Sequence, residues 1–247
     1  MKIRVGTCGW SVKGGRLKYY ETFPCIELQE TFYKLPKIKT LEKYRKESPS
    51  NFEFIVKAWQ AITHPINSPT WRKAEFPSWG NLENFGLLKP TEENFKAWEE
   101  ILKVCKILST KILIIQTPPS FIPSKENIEN MRSFLSSLRR DGIIIGWESR
   151  GEWDNNLVKE ICEKLELIHV VDPFRKIPSI SSNITYFRLH GIGGREVNYS
   201  YVYTDEDLIR LRDILKKIDS EIIYVMFNNV KMAEDAKRFI KILEENP

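Results

Sequence analysis

Several signatures that would make a function legible at once are missing from this chain. There is no C-x-x-C pair and no metal-ligand spacing of cysteines. The four cysteines, Cys8, Cys25, Cys105 and Cys162, stand apart and are expected to be reduced thiols. Histidine is scarce, with three in 247 residues, and neither H-E-x-x-H nor H-x-H occurs, which argues against a multi-zinc site. No G-x-S-x-G is present, so serine-nucleophile chemistry of the hydrolase-elbow kind finds no support. No G-x-G-x-x-G follows the first strand, which disfavours an open dinucleotide-binding sheet. No apolar run approaches the roughly 18 residues of a membrane span. The opening MKIRVGTCGW reads as a strand and not as a signal peptide, because no apolar core or small-residue cleavage site follows. The expectation is a cytoplasmic protein with no membrane partner. Repeats and low-complexity linkers are also absent, so residues 1–247 are expected to form a single domain. The charge surplus is mild, +5, and the lysines read as scattered, not gathered into a basic tract. That surplus permits an anionic ligand or nucleic acid without requiring either.

What is present is a repeated pattern. Eight short hydrophobic runs each end in polar or ionisable residues: IRVGTCGW, CIELQE, FEFIVK, KILIIQ, IIIGWESR, LIHVVD, ITYFRLH and IIYVMFNN. Helical patterns separate most of them. They occupy 39–47, 91–108 (capped by Thr91), 124–139 (Ser124), 154–165 (Asp154), 204–218 (Thr204) and 230–244. Strands alternating with helices indicate βαβ units and a parallel sheet. Eight such units in a chain close to the typical length of about 250 residues predict a single (β/α)8 TIM-like barrel. Its first and last strands, carrying Val5 and Val225, should then pair. One stretch breaks the rhythm: residues 60–90, rich in Pro and Trp, are too long for an ordinary connection. They are read as a long loop insertion after strand 3, a lid or wall on the catalytic face.

In a barrel of this class the active site lies at the carboxyl ends of the strands. Those ends offer Trp10, Glu27, Lys57, Gln116, Glu148, Arg150, Asp172, Arg188, His190, Asn228 and Asn229. Strand side chains alternate faces, so Arg188 and His190 share one. Lys57, Gln116, Glu148, Asp172, Arg188 and His190 are expected in one cleft. Burying a charge alone is costly, so Glu27, Glu148 and Asp172 should form a network with Lys57, Arg150 and Arg188. His190, in R-L-H-G, is the best general acid/base, with Glu148, Lys57 and Asp172 as further catalytic candidates. Trp10, Glu27, Tyr33, His64, Gln116, Arg150, Arg188, Asn228 and Asn229 are candidate substrate contacts. His169, inside an apolar run, reads as core. Glu27, Glu148, Asp172 and His190 make a hard oxygen/nitrogen set that would admit a divalent metal. The same carboxylates have cations at hand, so no metal ligand and no cofactor is assigned.

The chain also resembles the domain of unknown function 72 family, also called YecE-like. The matching segments are G-T-C-G-W (Gly6–Trp10), E-L-Q-E-T-F-Y (Glu27–Tyr33), F-E-F-I-V-K (Phe52–Lys57), I-T-H (Ile62–His64), Q-T-P-P-S-F (Gln116–Phe121), W-E-S-R-G-E-W (Trp147–Trp153), R-L-H-G (Arg188–Gly191) and F-N-N (Phe227–Asn229). The resemblance implies a TIM-like barrel similar in outline to the endonuclease IV and sugar isomerase barrels, and no established reaction. This chain departs from the usual pattern at Gln29, at Gly151, at Val230 and after Trp10, where a second Trp is usual. Three functions are therefore weighed. The first is an enzyme, a hydrolase, isomerase or lyase, acting on a small polar or anionic, phosphate- or sugar-bearing substrate. The second is a nucleic-acid protein of the repair-nuclease kind. The third is a non-catalytic ligand- or partner-binding protein.

Overall fold

The computed structural model describes residues 1–194 and 196–245. Eight strands run along the chain with helices between them, except that β6 and β7 are joined by a loop with no helix. The strands are β1 Lys2–Cys8, β2 Cys25–Leu28, β3 Glu53–Lys57, β4 Ile112–Thr117, β5 Ile144–Ser149, β6 Leu167–His169, β7 Ile184–Leu189 and β8 Ile222–Phe227. The helices are α1 Gly15–Thr22, α2 Glu30–Tyr33, α3 Ile38–Glu47, α4 Gln60–Thr63, α5 Glu92–Leu108, α6 Lys125–Ser136, α7 Asn155–Leu165, α8 Asp205–Leu215 and α9 Met232–Glu245. This is the (β/α)8 TIM-barrel class that the eight runs imply.

The chain forms two compact units, Met1–Glu27, Ser48–Glu53 and Ile168–Pro247 in one, Leu28–Glu47 and Phe54–Leu167 in the other. In the first unit, β1 pairs in parallel with β2 and with β8, and β8 pairs in parallel with β7. Val5 stands opposite Val225, so the first and last strands are neighbours as expected. In the second unit, β3, β4 and β5 pair in parallel in that order. Their residues Ile55, Val56, Ile112–Ile115, Ile145 and Trp147 are buried, as near-continuous apolar runs in a parallel sheet should be.

The helix starts follow the capping residues in the sequence. Thr91, Ser124, Asp154 and Thr204 each accept backbone N–H groups, and Thr204 with Asp207 forms a reciprocal capping box. The helix ends differ from expectation. The helix expected over 124–139 stops at Ser136, where the Ser137 hydroxyl turns back to the Ser133 carbonyl at 2.8 Å and competes with the helical ladder. The helix expected over 204–218 stops at Leu215. The sixth run supplies a strand of only three residues. It stops at His169, beyond it Val171 keeps a single bridge to Phe187, and Asp172 then accepts the N–H of Phe174 at 3.0 Å in the turn that follows. Helix α1 was not visible in the sequence. It buries only Tyr19 and Tyr20 and has no apolar period.

The insertion at 60–90 contains α4 and two short 3₁₀ turns, Pro69–Lys73 and Leu82–Asn84. It folds back on its own unit. Gly86 and Leu88 donate to the carbonyls of Ala61 and Ile62 at 2.7 and 3.0 Å. The buried Asn94 amide holds Gly86 and Lys89. These bonds favour a fixed wall over a hinged lid.

Candidate functional site

In the first unit, β2 and β7 bring Glu27 and Arg188 together. The guanidinium Nη2 lies 3.0 Å from Glu27 Oε1, and both side chains have zero exposure. The second carboxylate oxygen accepts the Tyr186 hydroxyl at 2.8 Å. Burial and the Glu27 charge hold the Tyr186 phenol well above its ordinary pKa, so it stays a neutral donor. Tyr186 and Arg188 share one face of β7, as alternation requires. Glu27 is thus held by a cation and a hydroxyl.

Two residues past Arg188, His190 meets Asp172. Its backbone N–H donates to Asp172 Oδ2 at 2.9 Å, and its Nδ1 lies 3.7 Å from the same oxygen. Asp172 is fixed from behind by the Phe174 N–H and lies 3.9 Å from Arg175 Nε. Arg175 also donates to the carbonyls of Gly191 and Gly193 at 3.1 and 2.6 Å, tying the segment after His190 to Asp172. The Tyr199 ring approaches the imidazole edge-on at 5.9 Å. Gly191 takes φ 86°, and its N–H donates to the Tyr203 hydroxyl. Arg175, Tyr186 and Tyr203 are the residues that sequence reading missed. No strand-end signal marks them, because two lie in loops and one lies mid-strand.

The last strand delivers Asn228 and Asn229. Both N–H donors of the buried Asn229 amide are taken, by the Tyr201 carbonyl and by Asp235 Oδ2, each at 2.7 Å. A ligand would find only its carbonyl, so Asn229 acts first as a clamp between β8 and α9. Trp10 packs edge-on against Tyr19 and Tyr20, with ring centroids 5.2 and 5.6 Å away. His169 is buried and accepts the Ser179 N–H at 2.9 Å, a core role.

In the second unit, Arg150 Nη2 lies 2.8 Å from Glu148 Oε1, both largely buried. Gln116 stands opposite Glu148 in the β4–β5 register. Gly151, which follows Arg150, has φ 81°, a backbone state that side chains strain to adopt. Lys57 at the end of β3 places its ammonium over the Phe32 ring at 4.1 Å and 3.5 Å from Gln29 Oε1. Tyr33 packs edge-on against Phe32. Glu53 shares the face of Lys57 by alternation but lies at the other end of β3, where Arg4 and Tyr224 hold it.

His64 is buried, with Nδ1 2.7 Å from the Thr63 hydroxyl. Burial, with Lys57 adding to it, pushes its pKa from 6.5 down to about 3. The unfolded chain therefore takes up a proton near pH 6.5 that the folded protein refuses until about pH 3. Protons favour unfolding across that window, so stability rises with pH within it. Between pH 7.5 and 4.5 the wild-type protein should lose about 3 kcal/mol more than His64→Gln, read from urea midpoints of both proteins at both pH values. Equal losses would mean that His64 titrates normally.

The carboxylates proposed for a metal are each engaged elsewhere, Glu27 by Arg188, Glu148 by Arg150 and Asp172 by the His190 N–H. Among the described residues no group of three or more His, Cys, Asp or Glu side chains is placed to hold a metal ion. The cysteine thiols are all free and buried, and burial raises Cys105 and Cys162 to about 12. No helix among the described residues is long and apolar enough to cross a membrane.

Eight strands, seven of them followed by a helix, with ionisable side chains at the strand ends, define a protein of the (β/α)8 TIM-barrel class. The chain belongs to the family described as "Protein of unknown function DUF72", which matches residues 4–247. It is similar to the UPF0759 protein YunF of Bacillus subtilis (strain 168), at 24% identity over 98% of this chain and 95% of that one. It is also similar to the crystal structure of a DUF72 family protein from Thermotoga maritima, with TM-score 0.72 and 22% identity, covering 99% of this chain and 100% of that one. A more distant likeness is to endonuclease IV from Thermus thermophilus, with TM-score 0.55 and 11% identity over 98% of this chain and 99% of that one. At these identities the structural likenesses show the fold.

Proposed function

We propose that the protein is an enzyme that moves a proton on a small polar or anionic substrate bearing a sugar or phosphate, with His190 as general acid/base. The reaction class is hydrolase, isomerase or lyase. The observation that carries the reading is the His190–Asp172 arrangement. A buried imidazole turns Nδ1 toward a carboxylate that is itself fixed. This is the base-plus-orienter geometry of proton-transfer sites. The 3.7 Å separation is too long for a hydrogen bond and is one that would tighten with substrate bound. Nε2 is then the atom that exchanges the proton. Arg188, two residues earlier and balanced by Glu27, adds a fixed positive end to a dipole that favours an anionic substrate. In the other unit, Glu148 and Lys57 are the groups to substitute next, as Glu148→Gln and Lys57→Met.

The test is proton exchange into aldose and ketose phosphates in deuterated buffer, followed by NMR. Wild-type protein should label at least one sugar phosphate. His190→Gln should abolish labelling, and Asp172→Asn should slow it about 100-fold, within the range that general acid–base catalysis contributes. Thermal unfolding of each variant is measured alongside. Labelling that survives in a folded His190→Gln protein would remove the acid/base assignment.

A further inference from the structure

The charge that looks scattered in the sequence is concentrated in one segment. Residues 34–47 hold six Lys/Arg and two Glu, a surplus of +4 in a chain whose whole surplus is +5. This segment runs from the end of α2 through α3. Beside it lies an open groove of about 530 Å³ lined by Tyr33, Leu35, Pro36 and Tyr44, with Lys34, Lys37 and Lys73 at its edge and Glu30 its one acidic residue. The three lysines are exposed and the two tyrosines half-exposed. Lys34 is paired with Glu75 at 2.7 Å, whereas Lys37 and Lys73 have no ion-pair partner among the described residues. On α3, Lys39, Lys43 and Lys46 are exposed on a face turned away from Tyr44 and do not line the groove, and Lys43 lies 3.6 Å from Glu47.

We propose that this groove binds single-stranded nucleic acid. The inference does not depend on the role given to His190. An apolar floor containing two tyrosine rings suits the flat faces of unpaired bases, and a lysine rim suits a phosphate backbone. The groove's cations, Lys34, Lys37 and Lys73, come from segments on both sides of its tyrosines, so they can meet more than one phosphate. A short single strand matches the tyrosine floor and the sign of charge at the rim. A rigid duplex would hide its bases from the tyrosines.

The experiment is fluorescence anisotropy with a fluorescein-labelled twelve-residue oligothymidylate at 50 and 200 mM NaCl. The wild-type protein should bind at 50 mM and weaken at least tenfold at 200 mM. Lys37→Gln/Lys73→Gln should weaken binding at least tenfold and lower the log–log salt slope by about 1.4, near 0.7 for each lost phosphate contact on a single strand. Tyr33→Ala should weaken binding at least fivefold with the slope unchanged, and Tyr33→Phe should restore it, since stacking needs the ring and not the hydroxyl. Circular dichroism checks that each variant is folded. Four results would overturn the proposal: no binding at 50 mM, binding indifferent to the lysine pair, tighter binding of the duplex of the same length, or binding to phosphatidylserine vesicles in place of the oligonucleotide.

Discussion

Arg188→Met should cost the folded protein about 3–5 kcal/mol, the penalty for leaving a buried charge without its partner. Arg188 and Glu27 both have fully buried side chains, and their charged atoms are 3.0 Å apart. Removing the guanidinium takes away the cation that faces Glu27, while the Tyr186 hydroxyl remains. One neutral donor does not offset the desolvation of a carboxylate. Adding Glu27→Gln to Arg188→Met should recover a large part of the loss. The amide carries no charge, and its oxygen can still accept from Tyr186. Glu27→Gln alone should also be costly, because it removes the negative charge 3.0 Å from a fully buried guanidinium. Urea unfolding of the wild type, both single variants and the double variant closes the cycle. A loss below about 1 kcal/mol for Arg188→Met would place the pair in the class of surface ion pairs, against its burial.

Gly191→Ala should be at least as damaging. A Cβ at this position would lie 2.0 Å from the Asn198 carbonyl oxygen and 2.7 Å from Tyr201 Cβ, and the backbone sits at φ 86°. The near neighbour is backbone. Asn198 is anchored by its own N–H donated to the His190 carbonyl at 2.7 Å, so it cannot yield without moving His190. Gly142 supplies the control, with φ 80° and nothing within 4 Å of an added Cβ. Gly142→Ala should show only the left-handed strain, about 1–2 kcal/mol. Gly191→Ala should exceed it by several kcal/mol or fail to fold, the scale reserved for strain combined with a clash. Similar losses at the two positions would mean that the loop after His190 relaxes freely, and His190 would then be less rigidly held than a proton-transfer role requires.

The features that carried over from sequence to structure are those set by local spacing. The caps at Thr91, Ser124, Asp154 and Thr204 worked because a side-chain oxygen reaches an N–H only two or three residues away. The pairing of β1 with β8 followed from counting eight strand–helix units. Helix α1 escaped because Gly15–Thr22 carries no apolar stripe. The run ending at Asp172 reads as a six-residue strand, whereas the strand stops at His169 and Asp172 lies in the turn beyond it, accepting the Phe174 N–H. The lysines of 34–47 read in the sequence as part of a scattered surplus. Only the fold places Lys34, Lys37 and Lys73 around one groove with Tyr33 and Tyr44.

By itself the sequence determined the alternation of strands and helices, the fold class that follows from it, and which residues stand at the strand ends. Periods of two and 3.6 residues and the chemistry of caps act over a few bonds and need no knowledge of the rest of the chain. Only the tertiary structure decided who partners whom. It gave Glu27 to Arg188 and Tyr186, Asp172 to His190, and Asn229 to the Tyr201 carbonyl and Asp235. Those choices depend on strand register, on where the chain turns after each strand, and on burial, which makes an unpaired charge intolerable. Such quantities exist only once segments distant in sequence have been packed together.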